Sequence, residues 1–206
     1  MKEIEKMLQG KVYDSNDKEI LTLRQNAHRL NKLYNDTFET EVEKRKEILD
    51  QLIPNRKNGV YLQGPITFDY GVFTSIGENT YANFNLTVLD TCPVKIGNNV
   101  FIGPNVSLLT PIHPLRYQDR NIYFDKEKGY YTDKEYAAPI TIEDDCWIAG
   151  NVTVCGGVTI GRGCVIGAGS VVTKDIPANS LAFGNPCKVK RKITENDKLE
   201  LKTHLF

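Results

Sequence analysis

From residue 142 the chain divides into sixes: IEDDCW, IAGNVT, VCGGVT, IGRGCV, IGAGSV and VTKDIP. An aliphatic residue opens each hexad: Ile142, Ile148, Val154, Ile160, Ile166 and Val172. The fifth place is small or aliphatic: Cys146, Val152, Val158, Cys164, Ser170 and Ile176. An earlier block repeats the pattern as IGENTY, ANFNLT and VLDTCP, then as IGNNVF and IGPNVS after two extra residues. Self-similarity at a fixed period marks a repeat architecture. Each hexad supplies a short strand and a turn, so side chains one period apart stack in layers. The first aliphatic points inward, the fifth residue fills the space beside it, and glycine or asparagine between them makes the tight turns. Three such strands per coil make a triangular prism, in which a coil buries its apolar face only by stacking on the next. The expected fold is mainly β, a parallel β-helix.

The repeat also places the cysteines. Cys146 and Cys164 hold equivalent fifth positions one full coil apart, and both should point into the core as small hydrophobes. Trp147, in a sixth position, should face outward. Five cysteines make an odd number without a CxxC pair, and the start MKEIEKMLQGKVYD has no apolar h-region. Together these predict reduced thiols and a cytoplasmic protein. Lys+Arg and Asp+Glu balance at 26 each, so no global basic field exists to hold nucleic acid or an anionic membrane. No run approaches eighteen consecutive apolar residues, and no bilayer span is expected.

Residues 1–57 read differently, as a charged helical cap that can cover the open end of the prism. Asp14, Ser15, Asn16 and Asp17 are N-cap candidates before a helix whose apolar positions are Leu23, Ala27, Leu30 and Leu33/Tyr34. Thr40 and Glu43 form a capping-box pair before a second helix that ends near Pro54. His28 on the first helix is expected to be a surface or interface histidine. Residues 58–186 carry the hexads. The basic stretch 187–206 is expected to pack as a tail or final helix, with His204 too near its end to be catalytic.

Inside the repeat region lies an interruption. Between Ser107 and Pro139 the hexads fail, and the inserted loop 108–139 is rich in Tyr, Lys and Asp. A loop this long inside a compact solenoid is uncommon unless it is functional. It carries His113 between Pro111 and Pro114, and Pro114 restricts His113 to extended backbone.

The hexads, the THPL-like loop sequence, YANFN before it and the ending GAGSVVTKDIPANSLAFGNPCKVKRKI together resemble hexapeptide-repeat acetyltransferases. The start LQGKVYDSNDKEILTLR narrows the resemblance to the maltose/galactoside O-acetyltransferase branch. The resemblance implies a left-handed coil, a homotrimer with active sites between subunits, acetyl-coenzyme A as donor and a sugar-like hydroxyl as acceptor. No metal is required. It further implies His113 as the base that deprotonates the acceptor and then protonates the departing sulfur, two steps that one near-neutral imidazole can perform. Asn83 matches a catalytic, acceptor-binding amide that can hold the reacting hydroxyl or the acetyl oxygen, and Asp14, Asp17, Asp69 and Asp90 match acceptor-side carboxylates. On the donor side, Gly150 matches a backbone N–H facing the thioester carbonyl. Ala168, Thr173 and Lys174 match the pantetheine groove, Lys188 and Arg191 the nucleotide phosphates, and Trp147 a cofactor or interface contact. The loop behind His113 is longer than in the thiogalactoside branch, with added Tyr123, Phe124, Tyr130 and Tyr131, which bears on acceptor identity.

Alternatives are the same chemistry on a non-sugar acceptor, such as an antibiotic or serine, or a non-catalytic trimeric scaffold. A metal-dependent carbonic anhydrase on the same prism needs three converging histidines. This chain has three in all, and two of them lie in the flanks.

Overall fold

The structure, a computed structural model, describes residues 1–199, so His204 and the end of the basic tail lie outside the described residues. A β-solenoid of about six turns forms the body. Every opening aliphatic and every fifth-position residue of the run from 142 is buried, including Ser170 and both cysteines. The Cys146 and Cys164 thiols donate to the carbonyls of Gly161 and Pro177. Burial raises the thiol of Cys146 to about 11, which suits a core group and not a nucleophile.

The prism has three parallel faces, each one strand per coil. Strands Leu62-centred at the start and Ile166-centred near the end belong to one face, whose register runs Tyr61↔Tyr81↔Phe101↔Trp147↔Val165. Another has outward residues Ser75, Lys95, Thr141 and Thr159. The third has Thr67, Thr87, Ser107 and Thr153. The early coils advance by twenty residues and the late ones by eighteen, which accounts for the two extra residues of the first block. Asn85, Asn105 and Asn151 turn the same corner with positive φ, and the amides of Asn85 and Asn105 each donate to the next side-chain oxygen along the corner. Asparagine tolerates that left-handed backbone better than residues with larger or branched side chains.

The cap has three helices, α1 (Glu3–Leu8), α2 (Lys18–Asn35) and α3 (Val42–Leu52). Asp17 caps α2, accepting from the N–H groups of Glu19 and Ile20. The expected Thr40/Glu43 box is not formed. The chain before α3 is instead held by Glu41, whose carboxylate accepts the N–H of Phe38.

Helix α2 closes the prism end by a specific device. Asn31 accepts the N–H of Phe68 and donates to its carbonyl, and Asn35 does the same to Ile66. Residues four apart on a helix rise about 6 Å, and alternate residues of a strand are about 6.6 Å apart. Two amides on one helix face therefore match two rungs of the sheet edge and satisfy groups that would otherwise be an unpaired template. Beside them Arg45, nearly buried, donates to the carbonyls of Leu62 and Gln63 and lies against the ring of Tyr34.

At the other end, residues 188–192 form a strand antiparallel to Ser180–Phe183. Of the basic stretch expected as a tail or final helix, residues 188–192 pack instead as an edge strand that completes the aromatic-bearing face.

Candidate active site

Residues after the coils' last regular strand before the insertion build the first half of a site. Strand Pro111–Ile112 pairs antiparallel with Tyr136–Ala137, Pro111 opposite Ala137 and Ile112 opposite Tyr136. One step further, this register sets His113 opposite Glu135. Residues directly opposite in such a pair present side chains to the same face with Cβ atoms about 5 Å apart. Glu135 is tied to the cap in turn: its backbone bridges to Tyr13, and its Oε2 accepts the Tyr13 hydroxyl at 3.0 Å. Burial raises the Glu135 carboxyl, while the Tyr13 hydrogen bond and the nearby His113 act against that rise. Burial likewise raises the Tyr13 hydroxyl, keeping it a donor at neutral pH.

Sequence reading missed Glu135 and Tyr13. No local motif marks them, because Glu135 becomes the partner of His113 only through a register closed across the insertion.

Asp69 lies near the same corner, half-buried, with His28 Nε2 3.7 Å from its Oδ1. Burial raises its carboxyl, and the His28 contact opposes this. His28 is thus exposed, as expected, but it faces the site's edge.

Three of the carboxylates expected on the acceptor side have other occupations. Asp90 is fully buried, its oxygens taking the N–H of Tyr70 and the hydroxyl of Thr74. It braces a corner from inside and presents no surface to an acceptor. Asp17 is engaged as the α2 cap. Asp14 is 5% exposed and accepts from Lys128 Nζ, Tyr130 Oη and Thr132 Oγ1 at 2.6, 2.6 and 2.7 Å. Burial would raise its carboxyl, but these bonds outweigh burial and hold it at about 2.

A carboxylate depressed on folding adds stability above its unfolded value, near 3.8 for Asp14, and loses it as pH falls toward 2. Amide-exchange protection of residues 123–132 is therefore expected to fall between about pH 4 and pH 2, while the prism, held by backbone ladders, keeps its own.

The remaining expected residues lie one corner away. Asn83 opens the corner before strand Leu86–Leu89, and its side-chain oxygen accepts the N–H of Phe84. Among the described residues nothing accepts from its Nδ2, so a donor remains for a ligand. Gly150 occupies the same corner two coils on, and its backbone N–H likewise has no acceptor among the described residues. Ala168 follows on the next coil, exposed, and a Cβ at the adjoining Gly169 would meet open space. Thr173 and Lys174 are exposed but fall on the other corner, at the end of strand Val171–Val172. Lys188 is exposed, whereas Arg191 is locked in a two-pronged ion pair with Asp197 and is not the free cation expected. Trp147 faces outward and is 41% exposed.

The two groups of residues are therefore separated in one chain by the width of a prism face. Four strand residues span about 13 Å, too far for one hydroxyl to meet both. A half-open cleft of about 380 Å³ lies elsewhere, beside Tyr34, Arg45 and Asp50 of the cap. Among the described residues no three His, Cys, Asp or Glu side chains converge as metal ligands, and no helix is long and apolar enough to cross a membrane.

A solenoid of hexads with a helical cap and a histidine-bearing insertion defines a hexapeptide-repeat transferase, and comparison with known proteins specifies the branch. The maltose acetyltransferase hexapeptide capping motif matches residues 6–55, and the bacterial transferase hexapeptide matches residues 139–174. Galactoside O-acetyltransferase of Escherichia coli is 38% identical over 165 residues, covering 80% of this chain and 76% of the relative. The crystal structure of a maltose O-acetyltransferase from Clostridium difficile 630 superposes with a TM-score of 0.85 at 43% identity, covering 95% of this chain and 99% of that one. A hexapeptide-repeat acetyltransferase of Vibrio cholerae, complexed with acetyl-coenzyme A, gives 0.82 at 34% identity, covering 95% and 100%. The chain belongs to the hexapeptide-repeat acetyltransferases, in the maltose/galactoside O-acetyltransferase family.

Proposed function

We propose that the protein transfers the acetyl group of acetyl-coenzyme A to a hydroxyl of a sugar, with His113 as general base, in a site formed between copies of a homotrimer. The observation that carries this reading is the split site. The proton-handling corner (His113, Glu135, Tyr13) and the donor corner (Asn83, Gly150) lie on different edges of one prism. Two copies side by side bring one corner of each together. The aromatic face supports such packing: Tyr61, Phe101 and Trp147 are exposed there, while outward positions on the other faces are mainly Ser, Thr and Lys. An apolar stripe of that kind is a surface to be covered.

Transfer requires removal of the hydroxyl proton, stabilisation of charge on the thioester oxygen and return of a proton to sulfur. His113 takes the proton, and Glu135 beside it favours the imidazolium that forms. The Asn83 amide and the Gly150 N–H supply donors for the developing oxyanion. Lys188, with Lys190 nearby on the edge strand, suits the polyanionic end of coenzyme A. Asp69 is the carboxylate left to accept hydrogen bonds from sugar hydroxyls.

The test is release of coenzyme A thiol from acetyl-coenzyme A against a panel of sugars and non-sugar hydroxyl compounds, with the assembly mass measured by light scattering. Sugar-dependent release by a trimer supports the reading. Release only with non-sugar acceptors moves the substrate class, and no release with any acceptor overturns the activity. Lys188→Glu is expected to raise KM for acetyl-coenzyme A about tenfold with little change in kcat, an effect that shrinks as salt is added.

A further inference from the structure

The cap segment Tyr13–Asn16 meets the inserted loop at every residue. Tyr13 donates its N–H to the Glu135 carbonyl and its hydroxyl to the Glu135 carboxylate. Ser15 donates to Asp133 Oδ1 at 3.0 Å, and Asn16 Nδ2 donates to the Tyr131 carbonyl at 3.0 Å. Between them Asp14 gathers Lys128, Tyr130 and Thr132, and its own N–H is held by Glu3 of α1. Lys128, Tyr130, Tyr131 and Thr132 belong to one hairpin, in which Tyr123–Asp125 pairs antiparallel with Tyr130–Thr132, and Asp133 and Glu135 follow it. Lys128 lies in its turn, and Tyr130 and Thr132 lie on its returning strand.

The returning strand leads directly to Glu135 and then to the pairing that sets His113. Glu135 follows Thr132 closely in the chain. Whatever holds Thr132 therefore restricts where the Glu135 carboxylate can lie. Asp14 is suited to hold it, since its oxygens are occupied by four donors of its own chain, the three hairpin side chains and the Asn16 N–H, and the carboxylate is almost wholly removed from solvent. A carboxylate so saturated has little capacity left for acceptor hydroxyls.

We propose that Asp14 is a positioning residue that clamps the inserted hairpin to the cap, and thereby holds Glu135 beside His113 and fixes the hairpin as a wall at the acceptor end of the site. The catalytic part rests on the reading of His113 as base; the clamp itself does not. The hairpin's other face carries Phe124 and Tyr131, both exposed, with their rings edge to face. The clamp thus presents aromatic side chains at a set height above the corner, and these would select acceptors by ring stacking and size.

The test uses the full-length protein and the variants Asp14→Asn, Lys128→Met and Tyr130→Phe. It measures amide hydrogen exchange over residues 123–137 without ligand, kcat and KM for acceptor and acetyl-coenzyme A, and the pH profile of kcat/KM. Asp14→Asn and Lys128→Met are each expected to speed exchange in the hairpin about tenfold or more. Both should lower kcat/KM for the acceptor about tenfold, displace the acid limb of the pH profile, and leave KM for acetyl-coenzyme A within about twofold. Tyr130→Phe should do the same to a smaller degree. Lys128 and Tyr130 lie at the surface, so these two variants carry the test if Asp14→Asn fails to fold.

A direct acceptor contact gives a different pattern, with acceptor KM raised in Asp14→Asn while Lys128→Met and Tyr130→Phe behave as wild type. That outcome overturns the proposal, as does unchanged exchange in all three. If the wild type proves inactive with every acceptor, the acetyl-transfer reading fails, and the exchange measurement still decides the clamp.

Discussion

Replacing His113 by alanine is expected to lower kcat by at least about a hundredfold, with KM for acetyl-coenzyme A and the assembly mass unchanged. General-base catalysis by a placed imidazole contributes about 10²–10⁴ in rate. Glu135 is raised by burial but is oriented by Tyr13, whose own hydroxyl stays protonated. His113 is exposed and its backbone sits between two prolines, so its removal leaves no cavity and breaks no described core contact. A mutant that fails to assemble would thus point away from a catalytic role. One with wild-type turnover would remove His113 as the base.

Asn31→Leu is expected to destabilise the fold by about 2–4 kcal/mol, lowering Tm by roughly 5–15 °C. The amide satisfies both the N–H and the carbonyl of Phe68, at a site where Asn31 is 7% exposed and Phe68 fully buried. Leucine is close in volume but can satisfy neither group, and each buried polar group left unpaired costs about 1–3 kcal/mol. Asn35→Leu should cost less, since that site is only partly buried. The double variant opens the first rungs of a sheet edge, so concentration-dependent aggregation on mild heating is the expected second effect. Thermal unfolding followed by circular dichroism, with light scattering beside it, measures both. A loss below about 1 kcal/mol in the single variant would show that water can replace the amide there.

The prism was legible because its determinant is local and repeated. An inward aliphatic at each hexad's first place and a small residue at its fifth are buried throughout the run from 142, and Cys146 and Cys164 obey the pattern to the atom that accepts their thiols. The long interruption and its histidine were legible for the same reason, as a break in a period. The capping residues were less so. Of four candidates before α2, Asp17 does the capping, and neighbouring Asp14 is drawn to a hairpin more than a hundred residues away.

Carboxylates were hardest to assign, because an aspartate in sequence looks alike whether it caps a helix, braces a corner, clamps a loop or faces a ligand. Asp17 caps a helix, Asp90 braces a corner, Asp14 takes donors from a distant hairpin, and Asp69 stays half-buried beside His28. Burial and the supply of donors decide between them, and both are set by chain segments far away in sequence. Arg191 makes the same point for a cation, since Asp197 neutralises a charge that composition alone would count as available.

By itself the sequence determined that this chain must coil in sixes, bury one stripe of aliphatics and display His113 where the coil is broken. That follows from short-range periodicity, in which each residue's place depends on neighbours one period away. Only the tertiary structure decided that Glu135 stands opposite His113, that Asp14 bonds to the hairpin, and that His113 and the pair Asn83 and Gly150 lie on different corners. Those relations depend on a register closed across the insertion and on the dimensions of the prism, and neither is written in any short stretch of residues.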